Sequence, residues 1–331
     1  MRNARILIWA AAPLLWACSK VEPADGAEHA ALRIALIPKG TTHEFWKSIH
    51  AGGARAQQEL GDVQVIWRGP EREDDREQQV SLVQNFVSAR VDAIVLAPMD
   101  QNALLPAVRS ATQAGIPVVI VDSGLAGAAG TDYVSYVATD NGRGGALGAQ
   151  RLIEVLGGRG KVLLLRYMEG SESTMQREQG FVDTVSQAAG IELVDPRRYA
   201  GASRASAQDA AENLLATYSD VHGVFCPNES STFGMLLALR SRGLAGKVRF
   251  VGFDASAGLV TALSAGELDG LVIQDPVKMG YLGVKTAVEA ACGRPVEQRV
   301  DTGVAVATRE NMQQPEVAAL LHPDLSVLDR R

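Results

Sequence analysis

The chain has few of the side chains that carry most enzymatic chemistry. Among 331 residues there are three cysteines and five histidines, and no histidine pair stands at metal-ligand spacing beside a supporting acid. His43-Glu44 opens like a zinc-hydrolase helix, but Lys47 replaces the second histidine of that motif. The run from Gly157 to Lys161 lacks the first glycine and the hydroxyl of a phosphate-binding loop, since Val155 and Val162 stand there, and it reads as a tight turn into a strand. Gly142 to Gly145 does not form a dinucleotide fingerprint, and Ser171 and Ser173 do not sit in a nucleophile elbow. A basic excess is missing too: 32 Lys and Arg against 38 Asp and Glu leave a net charge of −6, which excludes a general nucleic-acid surface. These absences predict a protein that is not an enzyme and that holds neither a cofactor nor a metal.

What is present begins with an unusual N-terminus. Arg2 and Arg5 precede an apolar run from Ile6 to Ala17, about a dozen residues broken by Pro13 and too short to span a bilayer as a helix. A basic start, a short apolar centre and a small-residue cut site describe an export signal. The sequence Leu15-Trp16-Ala17-Cys18 resembles the bacterial lipobox, with Trp16 departing from the usual small or branched residue, and it predicts lipid on Cys18. Residues 19–30 (SKVEPADGAEHA) are polar, as a tether from a membrane should be. Cys226 and Cys292 remain. They pair only if the fold brings them together, and buried free thiols are the expected state.

From Leu32 onward, short apolar runs alternate with helix-length amphipathic stretches. The runs at 33–38, 63–67, 93–97, 117–122, 161–165, 223–226, 248–254 and 271–274 are mostly continuous rather than alternating, as strands buried on both faces require. Helices are predicted over 45–60, 76–89, 103–114, 144–156, 174–189, 207–217, 232–242 and 280–291, with Gly61, Gly115 and Gly190 as left-handed stops. Asp140 or Asn141 would cap the helix after SYVAT. Some eleven strands exceed one open sheet, so two doubly wound parallel-sheet domains of about five strands each are expected. Two strands end in an acid, PVVIVD at Asp122 and VRFVGFD at Asp254. Ligands in such sheets sit at the carboxyl ends of strands, so the two acids either face one cleft or cap the next helix.

Eight landmarks carry a family resemblance in order and spacing: IALIPKGTTHEFWKSIHAGG, IVLAPMDQNAL, GIPVVIVDSG, VATDNGRGGALGA, REQGF, VFCPNES, FVGFDAS and LVIQDP. Over 32–307 the chain resembles the periplasmic sugar-binding proteins of the ribose and galactose type, with an export segment where the related repressors carry a helix-turn-helix. The resemblance implies the type I periplasmic binding protein fold, with two lobes, three crossings near 138–141, 274–276 and 302–304, and a ligand cleft between them. One lobe is expected over 31–139 with 275–302, the other over 140–274 with 303–331. It also implies cleft residues: Phe45 and Trp46 for stacking on a sugar ring, Asp122, Arg177, Asn228, Asp254 and Gln274 for its hydroxyls, and His43 and Ser123 as further candidates. His43 would titrate near neutral pH if it lined the cleft, while its place in a first helical turn predicts exposure. The bland alternative for Arg177 is a surface pair with Glu172 or Glu178. Four positions depart from the ribose pattern. His43 and Ala97 replace asparagines, Ser123 an arginine, and Ala202 an aromatic that some ribose binders carry.

Asp122 and Asp254 against Arg177, with Lys39 near in sequence, make a balanced site, better suited to a neutral sugar or polyol than to a dianion. The expected protein is monomeric and is anchored at the periplasmic or cell surface by lipid on Cys18. It delivers its ligand to the membrane permease of an ABC importer or, alternatively, is a sensory receptor for a sugar or furanose-like signal that acts on a membrane kinase or chemoreceptor.

Overall fold

The structure is a computed structural model that describes residues 31–329. The export signal, Cys18 and the tether lie outside the described residues. The chain begins β1 (Leu32–Ile37), α1 (Glu44–Leu60), β2 (Val63–Trp67), α2 (Arg76–Ser88), β3 (Ala93–Leu96), α3 (Leu105–Gln113), β4 (Val118–Val121) and β5 (Ser135–Ala138). It then runs α4 (Asn141–Val155), β6 (Gly160–Leu164), α5 (Glu172–Ser186), β7 (Ile191–Val194), α6 (Arg204–Thr217), β8 (Gly223–Phe225), α7 (Glu229–Ser241) and β9 (Arg249–Phe253). The last elements are α8 (Ala257–Ser264), β10 (Gly270–Ile273), α9 (Pro276–Ala291), β11 (Arg299–Asp301), β12 (Ala305–Ala307), α10 (Pro315–Leu321) and a 3-10 turn, Ser326–Asp329.

Two six-stranded sheets result, in the orders β11-β5-β4-β3-β1-β2 and β12-β10-β9-β8-β6-β7. All pairings are parallel except β10 with β12. The fully buried runs AIVL in β3 and VVIV in β4 lie at the centre of the first sheet, where helices cover both faces. The expected doubly wound fold is therefore present, with six strands in each lobe. The chain passes between lobes three times, after β5, after β10 and after β11. In both sheets the strand order reverses beside the first strand of the lobe, which opens a crevice at the carboxyl ends of β1 and β3 in one lobe and of β6 and β8 in the other.

Several elements escape sequence reading. β11 and β12 are three residues each and half exposed, β7 is a half-exposed edge, and α8 and α10 are short. None is long enough for a period to show. Two expectations are corrected. Gly61 and Gly115 adopt positive φ, but Gly190 does not. A Cβ on Gly190 would stand 2.2 Å from the Gly158 carbonyl oxygen, so close backbone approach requires it rather than a left-handed turn. Cys226 is a buried free thiol, whereas Cys292, just past the end of α9, is exposed.

Helices α4 and α5 approach unusually closely. A Cβ on Gly145 would lie 1.8 Å from the Arg177 carbonyl oxygen, and one on Gly180 would lie 2.1 Å from that of Gly142. The bare glycine faces thus set where Arg177 enters the cleft. Gly145→Ala is expected to cost about 3 kcal/mol, the upper range for overpacking, read as a fall in the urea midpoint. A loss below 1 kcal/mol would show that the two helices have room to spare.

Candidate functional site

The carboxyl ends of β4 and β9 carry the two strand-end acids. Asp122 and Asp254 have φ of 62° and 68°, a left-handed conformation that asparagine and aspartate tolerate better than other side chains. Their amides stay in the sheets, Asp122 donating to Val137 (3.2 Å) and Asp254 to Val272 (2.7 Å). The left-handed turn comes immediately after a regular strand, and both carboxylates lie buried in the cleft. Neither caps the helix that follows.

Arg177 lies between them, 2% exposed. Its guanidinium nitrogens stand 3.9 Å from Asp122 and 4.0 Å from Asp254. Nε donates to Asn141 Oδ1 (2.8 Å), and the two terminal nitrogens donate to the Pro227 carbonyl (3.0 Å) and to Gln274 Oε1 (3.0 Å). The group also lies 3.9 Å over the Phe253 ring. The surface pairing with Glu172 or Glu178 is thus overturned, and Glu178 instead accepts from Arg166. On the other side of Asp122, Lys39 Nζ is 3.2 Å from its carboxylate and donates to Ser171 and Ser173 across the cleft. Asp254 accepts from Gln274 Nε2 (2.6 Å) and from the Glu229 amide (3.0 Å). Burial pushes the Asp254 carboxyl up to about 6, against the pull of Arg177 and Gln274 and aided by the charges of Asp122 and Glu229.

A second polar cluster stands at the mouth. Glu73 accepts from Trp46 Nε1 (2.6 Å) and, across the cleft, from the Tyr167 hydroxyl (2.6 Å), and it pairs with His43 Nδ1. The expected exposure of His43 is corrected. It precedes the first turn of α1 and is largely buried, because it turns inward onto Glu73. Burial lowers its pKa, but the hydrogen bond and charge of Glu73 outweigh that and hold it above the ordinary histidine value. Burial acts on Glu73 in the opposite sense, raising it, but His43, Tyr167 and Trp46 outweigh that and hold it below the ordinary carboxylate value.

Of the predicted residues, His43, Phe45, Trp46, Asp122, Arg177, Asn228 and Asp254 line one cavity of about 30 Å³ between the lobes. Phe45 and Trp46 meet edge to face, with ring centroids 4.9 Å apart. Asn228 lines the wall while its side chain caps α7 through the Ser231 amide. Gln274 lies behind, in a small adjoining cavity that shares Phe45 and Asp254. Ser123 is not brought to the cavity: fully buried, its Oγ accepts from the Ser173 amide (3.1 Å). Sequence reading missed Glu73 and Tyr167. Glu73 is hidden in the acidic stretch Glu71 to Asp75, which looks like a solvated loop, and Tyr167 follows β6 with no motif around it. It noted Asn141 only as a possible cap. In fact Asp140 caps α4, and Asn141 is free to hold Arg177.

The periplasmic binding protein domain matches residues 34–295 of the chain. The D-ribose/D-allose-binding protein of Pseudomonas aeruginosa is 30% identical, with 88% of this chain and 93% of that protein covered. Among solved structures, an ABC transporter solute-binding protein from Agrobacterium vitis with bound D-fucose is 35% identical at a TM-score of 0.84, covering 88% of this chain and 100% of that one. A carbohydrate transporter solute-binding protein from Agrobacterium radiobacter, in complex with D-arabinose, is 32% identical at a TM-score of 0.84, covering 89% and 100%.

The raised Asp254 carboxyl has a consequence for stability. Between its unfolded value of 3.8 and its folded value of about 6, the native state holds more protons than the unfolded chain, so this group's contribution falls as pH rises through that window. Asp254→Asn, which suits the left-handed backbone, is expected to gain on the order of 2 kcal/mol above pH 6 and little at pH 4. Urea titrations across that range test it. Equal stability of the two proteins at pH 7 would contradict a strained, buried carboxylate.

Proposed function

The chain belongs to the periplasmic binding protein domain family, in its ribose-type branch, and from that footing we propose that it captures a neutral monosaccharide or polyol between its lobes and delivers it to an ABC-type importer. One observation carries the reading: Asp122 and Asp254, from opposite lobes, converge on the single guanidinium of Arg177 within 4.0 Å. Asp122, Asp254, Glu73 and Glu229 line the site against Arg177, Lys39 and His43, so the charges nearly balance and an uncharged ligand loses least on entering it. Vicinal hydroxyls both donate and accept, and carboxylate, guanidinium and amide groups answer both needs. Phe45 and Trp46 offer the apolar faces that a sugar ring covers. Sugars bound in the relatives from Agrobacterium vitis and Agrobacterium radiobacter support the same class.

Capture works by closure. A cavity of about 30 Å³ holds little more than a water, far below the roughly 300–1,000 Å³ of ordinary ligand sites. A sugar therefore enters with the lobes apart, and the three crossings act as the hinge. The moving bodies are 31–139 with 275–302 and 140–274 with 303–331. Because the strand-end acids are divided between them, the ligand has its full set of contacts only in the closed form and shifts the population toward it. The protein works as a non-catalytic monomer in the exported compartment, with lipid on Cys18 holding it beside the permease and raising its local concentration there.

A thermal-shift screen of pentoses, hexoses, inositols and sugar alcohols tests the ligand class. A ligand at about a hundred times its Kd should add about 2.7 kcal/mol, and Asp122→Asn should abolish that gain without strain in the backbone. Stabilisation by amino acids or peptides with no response to any polyol would sink the sugar reading. Cys18→Ala is expected to move the protein from the membrane to the soluble fraction of the exporting cell, and unchanged membrane association would remove the lipid anchor.

A further inference from the structure

A helix begins with amide donors that its own turns cannot satisfy, and the side chain just before it commonly accepts from one of them. Asp75, Asp140, Ser203, Asn228 and Asp275 do this for α2, α4, α6, α7 and α9. Helices α3 and α10 have no such cap, and each carries proline at one of its first two positions, which removes a donor. Helices α1, α5 and α8 have no such cap either, and no proline relieves them. Their preceding residues are polar but do not serve. His43 is paired with Glu73, the Ser171 hydroxyl accepts from Lys39 (3.3 Å), and the buried Ser256 hydroxyl has no partner among the described residues.

The acceptors come instead from the opposite lobe. The Phe45 amide of α1 donates to Glu229 of α7 (3.3 Å). The Ala257 amide, the first of α8, donates to Glu44 of α1 (3.0 Å). The Ser173 amide of α5 donates to the hydroxyl of Ser123, just past the end of β4 (3.1 Å). Because α1 and β4 belong to the first lobe and α5, α7 and α8 to the second, all three bonds cross the cleft. The exchange is reciprocal: α1 receives a cap from the second lobe and supplies one to it. Phe45, Ser173 and Glu229 line the cavity, whereas Glu44 and Ser123 do not.

We propose that Glu44, Glu229 and Ser123 are positioning residues for capture: each completes a helix of the opposite lobe, so the caps form only as the lobes meet, and they retain a bound sugar by slowing its release. With the lobes apart, the three helix ends would have water alone against their amides and dipoles. This rests on the closure reading and deepens it, since Glu44 and Ser123 act without lining the cavity.

The test is stopped-flow tryptophan fluorescence of the full-length protein with the tightest binder among D-ribose, D-glucose, D-galactose, myo-inositol and D-sorbitol. Glu44→Ala and Ser123→Ala should each raise the release rate about fivefold, the worth of one cap, with association changed less than about twofold. Glu44→Gln keeps an acceptor oxygen and should restore slow release. Ala257→Pro removes the donor instead, at a first helical position that accepts proline and after an extended Ser256 (φ −144°, ψ 162°). Added to Glu44→Ala it should change nothing further, because both delete one bond, whereas Ser123→Ala should multiply the effect. The caps are overturned by release within about twofold of the parent in both alanine variants, or by effects of Glu44→Ala and Ala257→Pro that multiply. A urea midpoint lowered equally with and without the sugar overturns them too, since a cap made within one lobe would act in both states. A radius of gyration that does not shrink when the sugar binds overturns the closure reading instead. No binding of any of the five compounds overturns the sugar reading, again a separate failure.

Discussion

The guanidinium of Arg177 is the group on which the cleft depends. Two carboxylates from different lobes are buried beside it, and each would be strongly destabilising without a cation near. Its hydrogen bonds go to Asn141 and Gln274, which stand at the first and second crossings between lobes. The charge that organises the cleft is thus wired to two of the three segments that cross between the lobes. Its placement rests in turn on the glycine-lined contact of α4 and α5, where no side chain separates the helices. Helix packing, lobe crossing and site charge meet at one residue.

Asp122 and Asp254 repeat one geometry in both lobes, a positive φ immediately after a buried strand. At such a position acid and amide are interchangeable in shape, and nearly everything else is strained. The mouth is built differently. Glu73 gathers donors from both lobes, and Gly40 gives it space, since a Cβ there would lie 2.8 Å from the Glu73 Cγ. His43 and Glu73 hold each other charged, so their mutual support fades as pH rises through the elevated histidine value or falls through the depressed carboxylate value.

How much of this can be read in the sequence depends on how local the cause is. Continuous apolar runs betray strands such as AIVL and VVIV because burial on both faces leaves no alternation to confuse. The strand-end acids are legible for the same reason, since their position follows from the strands. Glu73 is not, because it becomes a cleft residue only when a charged loop folds inward onto His43 and Trp46. Ser123 fails in the opposite sense: it sits beside Asp122 in the chain, but its hydroxyl is taken by the Ser173 amide. The edge strands β11 and β12 carry too few residues for any pattern. Their existence is dictated by the sheets they join.

Those two edge strands also set a timetable. The first lobe's core includes Met279, Val284 and Ala287 of α9, packed with Ile34 and Leu36 of β1, residues separated by most of the chain. The second lobe waits for β12 and for Val317 and Leu321 of α10. Contacts of such long sequence separation are slow to form, and partly made sheets expose apolar surface meanwhile. A nascent chain of this design can therefore finish neither lobe before nearly all of it has been made. The same threading that divides the cleft between two lobes postpones completion of both to the last stage of synthesis.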